Sequence, residues 1–329
     1  MSTSSPPWQD LLAGLARRER RALSRCISLV ENRAPGYRDV LALVYPRAKG
    51  AYRVGITGPP GAGKSTLVDA LAHSLVDDGL SVGVVAVDPT SPFTGGALLG
   101  DRVRMGDLSD TDGVYIRSMA TRGNSGGLAA ATRDVCAVMD AYGFDWLLVE
   151  TVGVGQIELD VTNVCDVVCA VFVPESGDGI QALKAGILEA AHLFLINKCD
   201  RPGAGQLASE LELVLRTRGD AFAWTPPVLL TQATARKGVV EWREQLAAFR
   251  ARPELSGPGS AARERQVLAD LENVLRERLH SYLAHDLTQD THWPDLADRL
   301  IRGTLDPHGG ADRVWERWLA APVRTSGES

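Results

Sequence analysis

Apolar positions fall into two rhythms along the chain. Near the start, Leu11, Leu12 and Leu15, then Leu23, Ile27 and Val30, recur at three- and four-residue steps and predict helix across residues 8–46. Pro35-Gly36 breaks that run, leaving a second short helix from Tyr37 to Tyr45. From residue 52 to about 250 the rhythm changes to short continuous apolar runs at 52–57, 82–87, 145–149, 167–173, 192–196 and 227–231, most of them separated by helical patterns. A continuously apolar strand is one buried on both faces, so strands of this kind alternating with helices predict a mainly parallel sheet covered on both sides. Ligands of such sheets sit beyond the carboxyl ends of the strands, which gathers the loops after residues 57, 87, 149, 173 and 196 around one site. After Pro253, a Ser/Gly/Pro/Ala segment from Leu255 to Ala262 reads as a linker or hinge. A long helix carrying Val267, Leu271, Val274, Leu275 and Leu279 follows, then two shorter helices near 293–303 and 309–320. The expected organisation is an N-terminal helical extension (1–49), a central α/β domain (50–254) and a C-terminal helical arm (255–329). The arm's apolar face needs a partner surface, and a homodimer is preferred over packing on the central domain.

Composition narrows the function classes. The 329 residues are 45% hydrophobic and 23% charged with a net charge of -6, which argues against nucleic acid as the principal partner. No run of eighteen apolar residues is present, so no membrane-spanning helix is expected. Met1 to Asp10 is polar and lacks a signal-peptide core, and the arginine-rich stretch Arg17 to Arg25, with Glu19 and Glu31 close by, reads as a solvated helix face rather than a transit peptide. The five cysteines, Cys26, Cys136, Cys165, Cys169 and Cys199, are scattered without a C-x-x-C pair, which fits a reduced cytoplasm. Cys165 and Cys169, at and in an apolar strand, read as small buried hydrophobes.

The chemistry is carried by the loops at the strand ends. Gly58-Pro59-Pro60-Gly61-Ala62-Gly63-Lys64-Ser65-Thr66 follows the first strand and opens a helix, the arrangement of a phosphate-binding P-loop. Its glycines let backbone N–H groups turn toward phosphate oxygens, the helix N-terminus adds partial positive charge, Lys64 reaches the β- and γ-phosphates and Ser65 ligates Mg²⁺. Asn197-Lys198-Cys199-Asp200 ends the strand at 192–196 and has the pattern of a guanine-reading loop. The Asp200 carboxylate accepts from guanine N1–H and the exocyclic amine, neither of which adenine offers, so GTP and GDP are expected rather than ATP. Asn197 is assigned to guanine N7 and the loop backbone, and the Lys198 stem to the base plane. Thr231-Gln232-Ala233 takes the place of a second base-contacting loop, with the Ala233 N–H toward guanine O6. Glu150-Thr151-Val152-Gly153 stands where GTPases usually carry D-x-x-G; Glu150 replaces the acid that holds a Mg²⁺-bound water, and Gly153 keeps the γ-phosphate contact. Asp88, after the second strand, and Asp101, on an expected switch segment with Arg102 and Arg104, complete the candidate metal site of Ser65, Asp88, Asp101 and Glu150. No strong general base is evident, so slow intrinsic hydrolysis is expected. Asp306-Pro307-His308-Gly309-Gly310-Ala311 falls short of a cobalt-ligating D-x-H-x-x-G loop and reads as a turn before the last helix.

Across essentially its whole length the chain resembles the MeaB/ArgK-type GTPases, metallochaperones associated with methylmalonyl-CoA mutase within the SIMIBI class of P-loop GTPases. The matching stretches are 58–66, D-P-T-S-P-F-T-G-G at 88–96, L-G-D-R-V-R-M at 99–105 and Y-I-R-S-M-A-T-R-G at 115–123, followed by E-T-V-G-V-G-Q at 150–156, G-D-G-I-Q-A-L-K-A-G-I-L-E at 177–189 and N-K-C-D at 197–200. Asn124-Ser125 and Thr231-Gln232-Ala233 depart from the family pattern. The resemblance implies a P-loop GTPase domain with helical extensions and a homodimer formed through the C-terminal helices. It also implies a client adenosylcobalamin-dependent acyl-CoA mutase that carries the cofactor itself and stimulates hydrolysis. Methylmalonyl-, ethylmalonyl-, isobutyryl- and 2-hydroxyisobutyryl-CoA mutases all remain open as that client. Segment 177–189 resembles the switch that answers the mutase, which would make Asp178, Gln181 and Lys184 partner-sensing residues. Two other functions compete: a nickel-delivery maturation GTPase, which needs clustered histidines that the six dispersed ones do not supply, and an ATP-dependent kinase linked to amino-acid transport, which the Asn197–Asp200 loop should exclude.

Overall fold

The structure, a computed structural model, describes residues 7–89, 108, 111–121, 125–151, 163–175, 185–216, 224–256, 260–289 and 293–320. Its centre is a seven-stranded, all-parallel sheet of β1 (Tyr52–Thr57), β2 (Val82–Pro89), β3 (Val114–Thr121), β4 (Trp146–Thr151), β5 (Val167–Phe172), β6 (Leu193–Ile196) and β7 (Val228–Leu230). The spatial order is β3-β2-β4-β1-β5-β6-β7. The fold is therefore α/β with a parallel sheet, as the apolar runs predict.

Period-two alternation sorts the strand residues onto two faces. On one face Val85, Val87, Leu147, Val149 and Val168 join a core supplied by three helices. These are α1 (Pro7–Ala16), α2 (Arg20–Glu31) and α3 (Tyr37–Val44), packed with α5 (Ser125–Tyr142). On the other, Val54, Ile56, Val84, Leu148 and Val171 pack with α4 (Lys64–Asp77) and α8 (Val239–Arg250), whose Trp242 is fully buried. Between α5 and α8 in the chain lie α6 (Ala185–Ala190) and α7 (Ala204–Arg216), which cover Ala170, Phe172, Phe194 and Ile196. Four of the five cysteines are buried, and burial pushes the Cys169 thiol up to about 12, which leaves it an inert core group.

Three sequence expectations need correction. The helix expected over 8–46 is divided before Pro35: α1 ends at Ala16 and α2 begins at Arg20, with Arg18 in the left-handed region at φ 58°. An arginine makes that turn, so neither glycine nor proline marks it. Strand β3 was not anticipated, because among the described residues it is an edge strand paired only with β2 and its apolar run is interrupted by Arg117. That guanidinium is neutralised by Glu31 of α2 and donates to Ser28 Oγ at 3.2 Å. The segment expected to be a linker from Leu255 begins instead with a helical turn, Pro253–Ser256, and α9 (Ala261–Gln289) starts one residue before that linker was expected to end.

The chain forms two compact units, Met1–Asn273 and Val274–Ser329. The second contains the remainder of α9 with α10 (Trp293–Ile301) and α11 (Pro307–Ala320), and Tyr282 meets Trp318 edge-on at 5.2 Å. Asp306 caps α11, its Oδ1 accepting from the N–H of His308 and Gly309 at 2.9 and 3.1 Å. Along α9, Leu268, Leu271, Leu275 and Leu279 are each about half exposed or more (65, 56, 49 and 54%). Among the described residues no helix is long and apolar enough to cross a membrane.

Candidate functional site

β1 ends at Thr57, and the chain leaves the sheet through Gly58, whose φ of 143° only glycine adopts readily. A Cβ there would lie 2.3 Å from the carbonyl oxygen of Val171, so the loop runs directly against β5. Gly63, at φ 85°, caps α4, and a Cβ on it would meet Asn197 Nδ2 at 2.4 Å. Between them Pro60 and Gly61 are exposed while Ala62 is fully buried. The result is a tight loop whose backbone turns into the N-terminus of a 14-residue helix.

Lys64 is 5% exposed, and its Nζ donates to the carbonyl oxygens of Gly58 and Pro59 at 2.7 and 2.9 Å, which holds the ammonium inside the loop. One residue on, Ser65 Oγ donates to Glu150 Oε1 at 2.7 Å. Glu150 lies next to the end of β4 and is 5% exposed. A hydroxyl and a carboxylate held together beside a phosphate loop make an all-oxygen donor set that suits Mg²⁺. Beneath them the Thr57 and Thr151 hydroxyls bridge β1 to β4 at 3.1 Å. Sequence reasoning missed this pair; a polar Thr57 closing a buried strand was the available signal.

The second loop begins where β6 ends. Asn197 is 2% exposed, and its Nδ2 donates to the Ala62 carbonyl at 2.8 Å. Its Oδ1 accepts from the Ala233 N–H at 3.1 Å. One side chain therefore ties the phosphate loop to both loops beyond β6 and β7. Asn197 was expected on guanine N7 and the loop backbone, and the Ala233 N–H on guanine O6; the structure shows the backbone contacts of Asn197, one of them to that Ala233 N–H. Lys198 adopts φ 59°, which swings the chain outward and leaves Asp200 exposed at the loop tip. The Cys199 N–H donates to the Thr231 carbonyl at 3.0 Å, joining the loops after β6 and β7 a second time. Thr66 is exposed in the first turn of α4.

Of the remaining candidate residues, Asp88 is placed by its backbone near the end of β2, opposite Ala120 of β3. Its side chain, with Asp101, Gly153, Asp178, Gln181 and Lys184, lies outside the described residues.

Comparison with known proteins gives a consistent picture. The family of methylmalonyl-CoA mutase-associated GTPases, MeaB, matches residues 23–287. A putative GTPase of Pyrococcus abyssi is 43% identical over 93% of this chain and 95% of its own length. The GTPase ArgK of Escherichia coli is 32% identical over 92% of this chain and 94% of its own. A mitochondrial methylmalonic aciduria type A homolog of Mus musculus is 32% identical over 92% of this chain and 77% of its own. A crystal structure of an LAO/AO transport system kinase superposes with a TM-score of 0.72 at 26% identity, covering 97% of this chain and all of that one.

Proposed function

Because the chain belongs to the family of methylmalonyl-CoA mutase-associated GTPases, we propose that it binds and hydrolyses GTP to gate adenosylcobalamin loading and protection of an acyl-CoA mutase. The observation that supports the nucleotide-binding part of this reading is the buried Asn197 bridge, with its bonds of 2.8 Å to Ala62 and 3.1 Å to Ala233; the mutase part is supported by the family match. The bridge ties the proposed guanine-reading loop to the phosphate loop, which would couple base recognition to phosphate position.

In the proposed mechanism the backbone N–H groups of residues 58–66 cradle the phosphates, and Lys64 leaves the Gly58 and Pro59 carbonyls for the β- and γ-phosphate oxygens. Ser65 and Glu150, with Asp88 and Asp101, are the residues that would hold Mg²⁺, which supplies charge neutralisation at the γ-phosphate when bound. Gly153 contacts the γ-phosphate, and Asp200 reads guanine. Hydrolysis is attack by a positioned water; with no strong base assigned, turnover is slow until the client mutase completes the site. Asp178, Gln181 and Lys184 sense that partner. The exposed leucines of α9 provide a homodimer surface, and the cobalamin is carried by the mutase.

The test has two arms. Calorimetric titration should give saturable binding of GTP and GDP and none of ATP; equal binding of ATP would favour a kinase and reject this reading. The tagged protein should also co-purify with an adenosylcobalamin-dependent acyl-CoA mutase in a nucleotide-dependent manner. Absence of the mutase in every nucleotide state would reject the chaperone role.

A further inference from the structure

A second recess lies at the opposite edge of the sheet, where β2, β3 and β4 begin. It has a volume of about 270 Å³, and Arg18, Arg20, Tyr115, Tyr142, Gly143 and Phe144 are among its lining residues. The nucleotide loops stand at the carboxyl ends of the same strands, so the two sites are separated by the length of the sheet. None of the chemistry proposed above uses this one.

Its walls combine two features. The first is a connected aromatic surface: Tyr142 and Phe144 have ring centroids 5.1 Å apart, and Phe144 and Tyr115 are 6.3 Å apart. The second is a pair of guanidinium groups clamped by backbone. Arg18 Nη2 donates to the Gly143 carbonyl at 2.9 Å, and Arg20 Nη2 donates to the Val114 carbonyl at 2.9 Å. Arg20 also lies over the Tyr115 ring, 5.8 Å from its centroid. Each guanidinium carries five N–H donors, and among the described residues no carboxylate forms an ion pair with either. The nearby Asp145 carboxylate accepts from the N–H and hydroxyl of Ser81 at 2.8 and 2.6 Å and also feels the Arg18 charge, without forming an ion pair with it. The Glu19 carboxylate is engaged by Arg17. A third cation, the Lys49 ammonium, would lie 2.6 Å from a Cβ placed on Gly143, close to where Arg18 would lie at 2.7 Å. Gly143 has φ 107° and no side chain, which is what lets both cations approach the strand entrance.

From this arrangement we infer that the recess is a binding site for a small planar organic anion, a ring bearing one carboxylate or phosphate. The oxyanion takes the remaining N–H donors of Arg18 and Arg20, whose fork geometry suits two-oxygen recognition. The ring packs on Tyr115, Tyr142 and Phe144. Recess volume limits the ligand to roughly one ring with its charged group, well below a drug-sized molecule.

The probes are phenyl phosphate, benzoate, inorganic phosphate and phenol, titrated calorimetrically into the full-length protein saturated with GDP, with amide shifts of Gly113 and Gly143 locating the site. Phenyl phosphate or benzoate should bind saturably at one site, at least tenfold tighter than inorganic phosphate or phenol, and shift both amides. The tighter of the two identifies the oxyanion. Arg20→Gln should weaken that binding at least tenfold and Tyr115→Leu several-fold, each with GDP affinity unchanged. Arg18 is left intact because it makes the turn between α1 and α2. No saturable binding of either ring compound, equal binding of inorganic phosphate, or unaltered affinity in both variants overturns the inference. GDP affinity reports on the nucleotide site separately, so failure here is distinguishable from failure of the GTPase reading.

Discussion

Replacing Asn197 with alanine removes one side chain and orphans two buried backbone groups. The Ala62 carbonyl loses its donor at 2.8 Å and the Ala233 N–H loses its acceptor at 3.1 Å. An unsatisfied buried polar group costs about 1–3 kcal/mol, so the pair amounts to about 2–6 kcal/mol. The vacated volume borders loops that a water can enter, which favours the lower part of that range, about 2–4 kcal/mol. For a domain of this size that corresponds to a fall in melting temperature of roughly 4–8 °C. Thr231→Val is the control. Its hydroxyl stands 3.5 Å from both Asn197 Oδ1 and the Ile196 carbonyl, at the limit of a hydrogen bond, so its loss should cost under about 1 kcal/mol. Thermal and urea unfolding of the nucleotide-free proteins measures both, and titration with GDP measures the functional consequence. With its two loops uncoupled, Asn197→Ala should bind GDP at least tenfold more weakly. If the variant melts within about 1 °C of the parent and binds GDP equally, the two loops are held by something other than Asn197 and the reasoning fails.

Other consequences can be checked independently. His192 sits just before β6 with its Nδ1 accepting from the Val168 N–H at 3.0 Å, and burial lowers its pKa to about 4 from 6.5. Between those values the unfolded chain binds the proton and the folded one does not, so this group's stabilisation is complete above pH 6.5 and is lost as pH falls toward 4. The loss totals about 3 kcal/mol, and urea unfolding across that range should show a slope that His192→Gln lacks. Asp200→Asn keeps the shape of the loop but removes the charged acceptor; GDP affinity should drop about a hundredfold while the melting temperature of the nucleotide-free protein stays within about 1 °C, because the residue is exposed. Leu271→Glu with Leu275→Glu places two charges in the exposed stripe of α9, where the parent residues are 56 and 49% exposed; sedimentation should change from dimer to monomer with the fold intact, and a parent that already sediments as a monomer contradicts the dimer proposal.

What could be read in the sequence was what is local. Strands β1, β2, β4, β5 and β6 are buried on both faces and announce themselves as apolar runs, and the glycines of 58–63 and the Asn197–Asp200 pattern mark strand ends. Features whose partner is distant in sequence were not legible. Arg53 sits within β1 at 8% exposure, a charge inside an apparently apolar strand. Its neutralising neighbour, Asp140, comes from α5, 3.6 Å away in space. The same carboxylate accepts from the N–H groups of Lys49, Gly50 and Ala51 at 2.7, 2.9 and 3.1 Å and so fixes how the chain enters β1. Edge strand β3 was hidden by Arg117, whose partner Glu31 belongs to an N-terminal helix. In the candidate site, the spacing gave the residues of each loop but not the bond from Asn197 to Ala62 that joins them.

The most direct test of a mutase-gated GTPase is the steady-state rate of GTP hydrolysis by the purified protein, alone and with stoichiometric adenosylcobalamin-dependent acyl-CoA mutase. A slow basal rate that rises at least tenfold when the mutase is added, with ATP untouched, is the expected result. The same rate with and without every such mutase tested would contradict it.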